Sequence, residues 1–88
     1  MRIKKLIIGL ILSSLLGSGL AVSADFDKGL QAYNLGDFKT AIAEWAPLAE
    51  QGVADAQNSL GVMYANGEGV PQNDKTAVKW YTLAAEQG

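Results

Sequence analysis

The 88-residue chain contains neither cysteine nor histidine. Without cysteine there is no disulfide and no thiolate nucleophile. Without histidine the usual general base near neutral pH is missing, and the two absences together remove nearly every transition-metal ligand. Serine is scarce outside the first 24 residues, where Ser59 is the single example, set in AQNSLG with no GxSxG turn around it. A polar residue on a helix surface is the stronger reading of Ser59.

Positive charge is also unevenly spread. Arg2, Lys4 and Lys5 open the chain, an apolar run follows from Leu6 to Leu16, and small, turn-prone residues lead to Val22 and Ala24 at the minus-three and minus-one positions of a cleavage site. Those three parts make a secretory signal peptide over residues 1–24. The competing reading is an uncleaved membrane helix, but Leu6 to Val22 is only 17 residues, broken by glycines and three serines. A span needs about 20 predominantly apolar residues. No cysteine follows the run, which excludes a lipid-modified lipoprotein, and no twin arginine precedes it, so the general secretion route is expected. The expected location is periplasmic or secreted, with cleavage after Ala24 and no stable membrane insertion afterwards.

Cleavage there leaves Asp25–Gly88, 64 residues with nine acids against four lysines (Lys28, Lys39, Lys75, Lys79), a formal charge of minus five. No basic stripe is available to neutralise phosphates, so nucleic acid is excluded as a partner, and the same balance disfavours anionic lipid. About 60 residues bury only about 60% of their unfolded surface. A cysteine-free exported domain of this size must gain stability from regular helix packing, self-association or further chain.

Internal similarity supplies the architecture. KTAIAEWAPLAEQG (residues 39–52) matches KTAVKWYTLAAEQG (75–88) at both ends, while Tyr33 and Gly36 recur as Tyr64 and Gly67. The offsets differ by the extra loop EGVPQ, Glu68 to Gln72. Apolar residues recur with helical period: Phe38, Ala41, Ile42, Trp45, Leu48, Ala49; then Ala56, Leu60, Met63, Tyr64; then Ala77, Trp80, Tyr81, Ala84, Ala85; with Phe26, Leu30 and Tyr33 in a shorter first segment. The spacing predicts four helices, roughly 26–35, 38–51, 54–66 and 74–87. Gly52 and Gly67 are placed as left-handed helix ends, Asn73 or Asp74 as a cap with Pro71 just ahead, and Ala41 and Ala77 as close-approach points. Trp45 lies seven residues before Gly52 and Trp80 eight before Gly88. The first copy therefore reads as one residue shorter near Pro47, with a bend expected between Ala43 and Pro47 that the last helix lacks.

LGVMYANGEGVPQNDKTAVKWYTLAAEQG, residues 60–88, resembles the Sel-one-like repeat, a relative of the tetratricopeptide repeat with a longer inter-helix loop. Leu60, Gly61, Tyr64, Gly67, Gly69, Val70, Asp74, Ala77, Trp80, Ala84, Ala85 and Gly88 carry the resemblance. The first unit is closer to the tetratricopeptide pattern, through Gly29, Gly36, Phe38 and Ala41. The expected fold is all-α, a short α-α superhelix of two helix-loop-helix repeats, divided into the leader (1–24), a first helical pair (25–52) and a Sel-one-like repeat (53–88).

Chemistry offers little against a scaffold. Glu44, Glu50, Asp55, Glu68 and Asp74 could pair as acids and bases, but each falls on a polar face, loop or cap. NGEG, Asn66 to Gly69, lacks the third glycine and the preceding strand of a phosphate loop, and the same loop lacks the spaced acids of a calcium site. Trp45, Trp80 and Tyr81 could stack on a ligand, yet their place on the apolar stripes favours core packing. No catalytic residue, metal or cofactor is expected.

The resemblance implies an exported, non-enzymatic module that binds a protein or peptide in the bacterial envelope. In such stacks the first helix of each pair lines a concave groove. The candidates there are Gln31, Asn34, Asp55, Asn58, Val62, Ala65 and Asn66. Secreted, cysteine-rich relatives linked to penicillin binding and hydrolysis imply the alternative, an envelope hydrolase or a cell-wall or β-lactam binder. Val78, Tyr81, Leu83 and Ala85 are spread around the last helix, which predicts an adhesive open end suited to self-association or docking.

Overall fold

The computed structural model describes residues 24–87. The signal-peptide features read over residues 1–23 lie outside the described residues. The described residues form four helices and no strand: α1 Phe26–Asn34, α2 Phe38–Glu50, α3 Ala54–Asn66 and α4 Asp74–Ala85. Each helix packs on the next in chain order. The result is the expected all-α stack of two helix-loop-helix pairs.

Local chemistry places the boundaries. The Asp25 carboxylate accepts hydrogen bonds from the Asp27 and Lys28 amides at 2.8 and 3.2 Å, Asp37 from Thr40 at 3.2 Å, and Asn73 from Thr76 at 3.0 Å, so three helices start on a side-chain cap. Helix α3 starts on Val53 without one. At the other end α3 stops where Gly67 adopts φ 69°, with the Glu68 amide reaching back to the Met63 carbonyl at 2.9 Å. This is the Schellman pattern. The bonds Asp37 to Ala32 (2.8 Å) and Val53 to Leu48 (3.0 Å) end α1 and α2 in the same way. Helix α2 runs as one element from Phe38 to Glu50 with Pro47 inside it. Proline donates no bond to Ala43, and Ala43 is exposed.

The core is narrow and rich in alanine. Ala32, Ala41, Trp45, Ala49, Ala56, Leu60 and Met63 are buried together, with Phe26, Tyr33, Phe38, Ile42, Leu48 and Trp80 packed around them. Phe26 stacks on Trp45 with ring centroids 5.4 Å apart, and Tyr33 lies 5.7 Å from Trp45 and 5.3 Å from Phe38. Such pairs contribute about 0.5–1.5 kcal/mol each beyond the area they bury. Three residues assigned to buried stripes lie further out: Leu30 (41% exposed), Tyr81 (37%) and Ala85.

The pairing of aromatic residues corrects the sequence reading of the repeat. The Trp45 ring lies flat against Gly29 of α1, and the Tyr81 ring lies against Gly61 of α3. Trp45 and Tyr81 each stand four residues after a buried alanine (Ala41, Ala77) and seven before a glycine (Gly52, Gly88). Trp45 therefore corresponds to Tyr81 rather than Trp80, α2 and α4 align with no residue missing, and the place of Trp80 is taken in α2 by Glu44. Glu44 there accepts a hydrogen bond from the Asp25 amide at 2.9 Å.

The loop that distinguishes the two pairs has a structural role. Gly69 lies against Phe38 and Ile42 of α2, and the Tyr33 hydroxyl donates to Glu68 at 2.9 Å. The added residues of the second pair thus fold back over the first. A second bridge is polar and buried: Gln57 donates to the Ala49 carbonyl at 3.0 Å and accepts from the Gln87 side chain at 2.8 Å.

Candidate protein-binding groove

The first helices of the two pairs, α1 and α3, flank an open hollow of about 160 Å³ lined by Leu30, Tyr33, Trp45, Ser59 and Val62. Leu30 and Tyr33 are one turn apart on α1, and Ser59 and Val62 one turn apart on α3. Trp45, nearly fully buried, forms the floor from α2. Its position follows from Gly29, which has no Cβ to hold the indole away.

The three side-chain donors of the residues lining the hollow are already engaged within the protein. The Trp45 indole N–H donates to the Phe26 carbonyl at 3.0 Å, the Ser59 hydroxyl to the Asp55 carbonyl at 2.9 Å, and the Tyr33 hydroxyl to Glu68 at 2.9 Å. The bond to Glu68, with partial burial and the nearby negative charge, holds the Tyr33 hydroxyl above the ordinary tyrosine range. The hollow consequently offers mainly apolar surface: the rings of Trp45 and Tyr33 and the side chains of Leu30 and Val62, the last two each more than a third exposed.

Among the groove residues expected from the sequence, Val62 lines the hollow directly. Gln31, Asn34, Asp55, Asn58 and Asn66 are exposed, and Ala65 is half-buried. Leu30, Tyr33 and Trp45 were assigned to the core and Ser59 to the polar surface. Their helical spacing is that of buried residues, and the signal that could have separated them is Gly29, whose missing side chain draws Trp45 up to α1.

The carboxylates weighed as acid–base pairs are mostly occupied in structural contacts. Glu44 holds the Asp25 amide, Glu68 accepts from Tyr33, and Asp74 accepts from the Gln72 amide at 2.6 Å. No helix among the described residues is long and apolar enough to cross a membrane.

Paired helices stacked so that their first members flank an apolar hollow define a tetratricopeptide-like helical-repeat protein, a class that works through protein–protein contact. Residues 54–88 match the Sel1 repeat family. Two relatives are 38% identical to it over 63 residues, each match covering 72% of this chain and 24% of the relative. Both are named exopolysaccharide production negative regulator, one from Rhizobium leguminosarum bv. viciae and one from Rhizobium meliloti (strain 1021). The chain spans about a quarter of the length of these curated relatives. No solved structure gives a significant match.

Proposed function

We propose that this chain is a non-enzymatic adaptor of the bacterial envelope that captures a protein or peptide in the groove between α1 and α3, and that it acts in the control of exopolysaccharide production. The observation that carries the binding role is the hollow itself, a largely apolar recess whose side-chain donors are already engaged. In this reading the exposed Gln31, Asn34, Asp55, Asn58 and Asn66 supply its polar contacts, with half-buried Ala65 beside them. The regulatory setting rests on the names of the two relatives, and the envelope location on the three-part leader of residues 1–24.

Affinity capture from an envelope extract tests the binding role. The wild-type chain should retain a specific protein that a Val62→Lys chain does not; equal retention by both removes the groove from the account. Cell fractionation with amino-terminal sequencing tests the location: a periplasmic or secreted product starting at Asp25 is expected, and an intact cytoplasmic chain contradicts it. Altered exopolysaccharide yield on deletion of the gene is the corresponding expectation for the pathway.

A further inference from the structure

The groove's walls favour a particular kind of segment. We propose that the hollow is an anchor site for one apolar side chain of a partner segment that also carries lysine or arginine. This inference rests on the adaptor reading above and specifies the partner's chemistry.

Size and polarity set the anchor. An enclosed apolar cavity of about 150 Å³ accepts a benzene-sized guest, and the hollow here is about 160 Å³. A side chain that must accept a hydrogen bond would lose its water there and find no free side-chain donor, because the Trp45, Ser59 and Tyr33 donors are committed elsewhere. Such a loss costs about 1–3 kcal/mol. An apolar side chain loses nothing there and covers the exposed parts of Leu30 and Val62.

Charge sets the flank. Exposed Asp27 stands one turn before Leu30 on α1, and exposed Asp55 stands one turn before Ser59 on α3. Both therefore lie on the hollow's amino-terminal side along their own helices. Helix α3 contains no lysine or arginine, and Lys28, the one cation of α1, is rotated about 200° around the helix from Leu30. Lys39, Lys75 and Lys79 belong to α2 and α4, the second helices of the pairs. Positive charge is thus kept off the groove stripes, while a negative charge stands one helical turn from the anchor on each wall. The exposed carboxamides Gln31, Asn34 and Asn58 remain available to bond the backbone of the segment.

Three alanine-based nonapeptides and the full chain test this: one with a central leucine flanked by lysines, one with that leucine flanked by glutamates, and one with a central alanine flanked by lysines. In amide chemical-shift titrations the leucine–lysine peptide should bind, with the largest shifts at Leu30, Ser59 and Val62. Replacing its leucine should weaken binding roughly tenfold or more, the equivalent of one buried leucine side chain. The glutamate peptide should bind more weakly, and Asp27→Asn with Asp55→Asn should erase that preference together with the salt dependence. Val62→Lys should abolish binding and Val62→Ala weaken it, with the helical circular-dichroism signal kept. Equal binding of the lysine and glutamate peptides, shifts centred on Val78 and Ala85, or no binding of the leucine–lysine peptide at millimolar concentration would each overturn the inference. If an extract protein is still retained in a Val62-dependent way in any of those cases, the groove stands as a binding site and only the basic–apolar specificity fails.

Discussion

A methyl group added at Gly29 would collide with the Trp45 indole, which is fixed by its bond to Phe26 and by stacking on the Phe26 ring. At Gly61 the added methyl meets the Tyr81 ring, which is over a third exposed and free to swing outward. Alanine favours a helix over glycine by about 1 kcal/mol, and overpacking costs about 1–3 kcal/mol. Gly29→Ala should therefore lower stability in urea unfolding, and Gly61→Ala should be close to neutral. Gln57 gives a second contrast: Gln57→Ala removes its bonds to the Ala49 carbonyl, which keeps a bond from the Gly52 amide, and to exposed Gln87, and should cost about 1 kcal/mol. The sequence showed Ala41, Trp45, Leu60, Met63 and Ala77 as core by period alone. It did not show Gln57, because a buried amide is recognisable only once its partners on two other segments are in place. Trp45 and Trp80 do not occupy equivalent places in the repeat, since the ring over the glycine in the second pair belongs to Tyr81.

At the scale of elements, the four helices were legible because their apolar period is broken at residues with one strong local preference, Asn73 as a cap and Gly52 and Gly67 as ends, although α3 starts on Val53 with no side-chain cap. The packing of the Glu68–Gln72 loop was not, since nothing in EGVPQ indicates that it lies on α2 of the preceding pair. Gly69→Ala places a side chain against Phe38 and Ile42 at φ 78° and should destabilise by about 1–3 kcal/mol. Tyr33→Phe removes the loop's bond to α1 and should cost about 1 kcal/mol. The Tyr33 contribution is present below the ordinary tyrosine value of about 10 and is lost as pH rises through the higher folded value. The Tyr33→Phe chain should accordingly lack part of the alkaline decline in stability seen for the wild type. Asp37 has the opposite sign. Its bonds from Thr40 hold the carboxyl below the usual range, so its contribution is present at neutral pH and lost as pH falls through the lowered value. Asp37→Ala should flatten the acid limb of the same profile.

Over the whole molecule, the face of α2 covered by α3 and the loop has a counterpart on α4 that nothing among the described residues covers. Ile42 and Ala49 are half-buried and buried, whereas Val78 is 60% exposed and Ala85 is exposed. If that face mediates the expected self-association, sedimentation should show an oligomer that Val78→Lys converts to monomer; a wild-type monomer at all concentrations would remove the expectation. Exposure of this face and the hollow between α1 and α3 leave two separate apolar surfaces on one acidic scaffold. The sequence indicated the concave face through the repeat resemblance, but only the packed helices show that Trp45 floors it and that its side-chain donors are engaged. The central claim is that the hollow between α1 and α3 is where the partner binds. Its most direct measurement is affinity capture from an envelope extract with the wild-type chain beside Val62→Lys and Val78→Lys chains. Loss of the retained protein with Val62→Lys and its retention with Val78→Lys is the predicted result; loss with Val78→Lys alone would place binding on α4 and contradict the account.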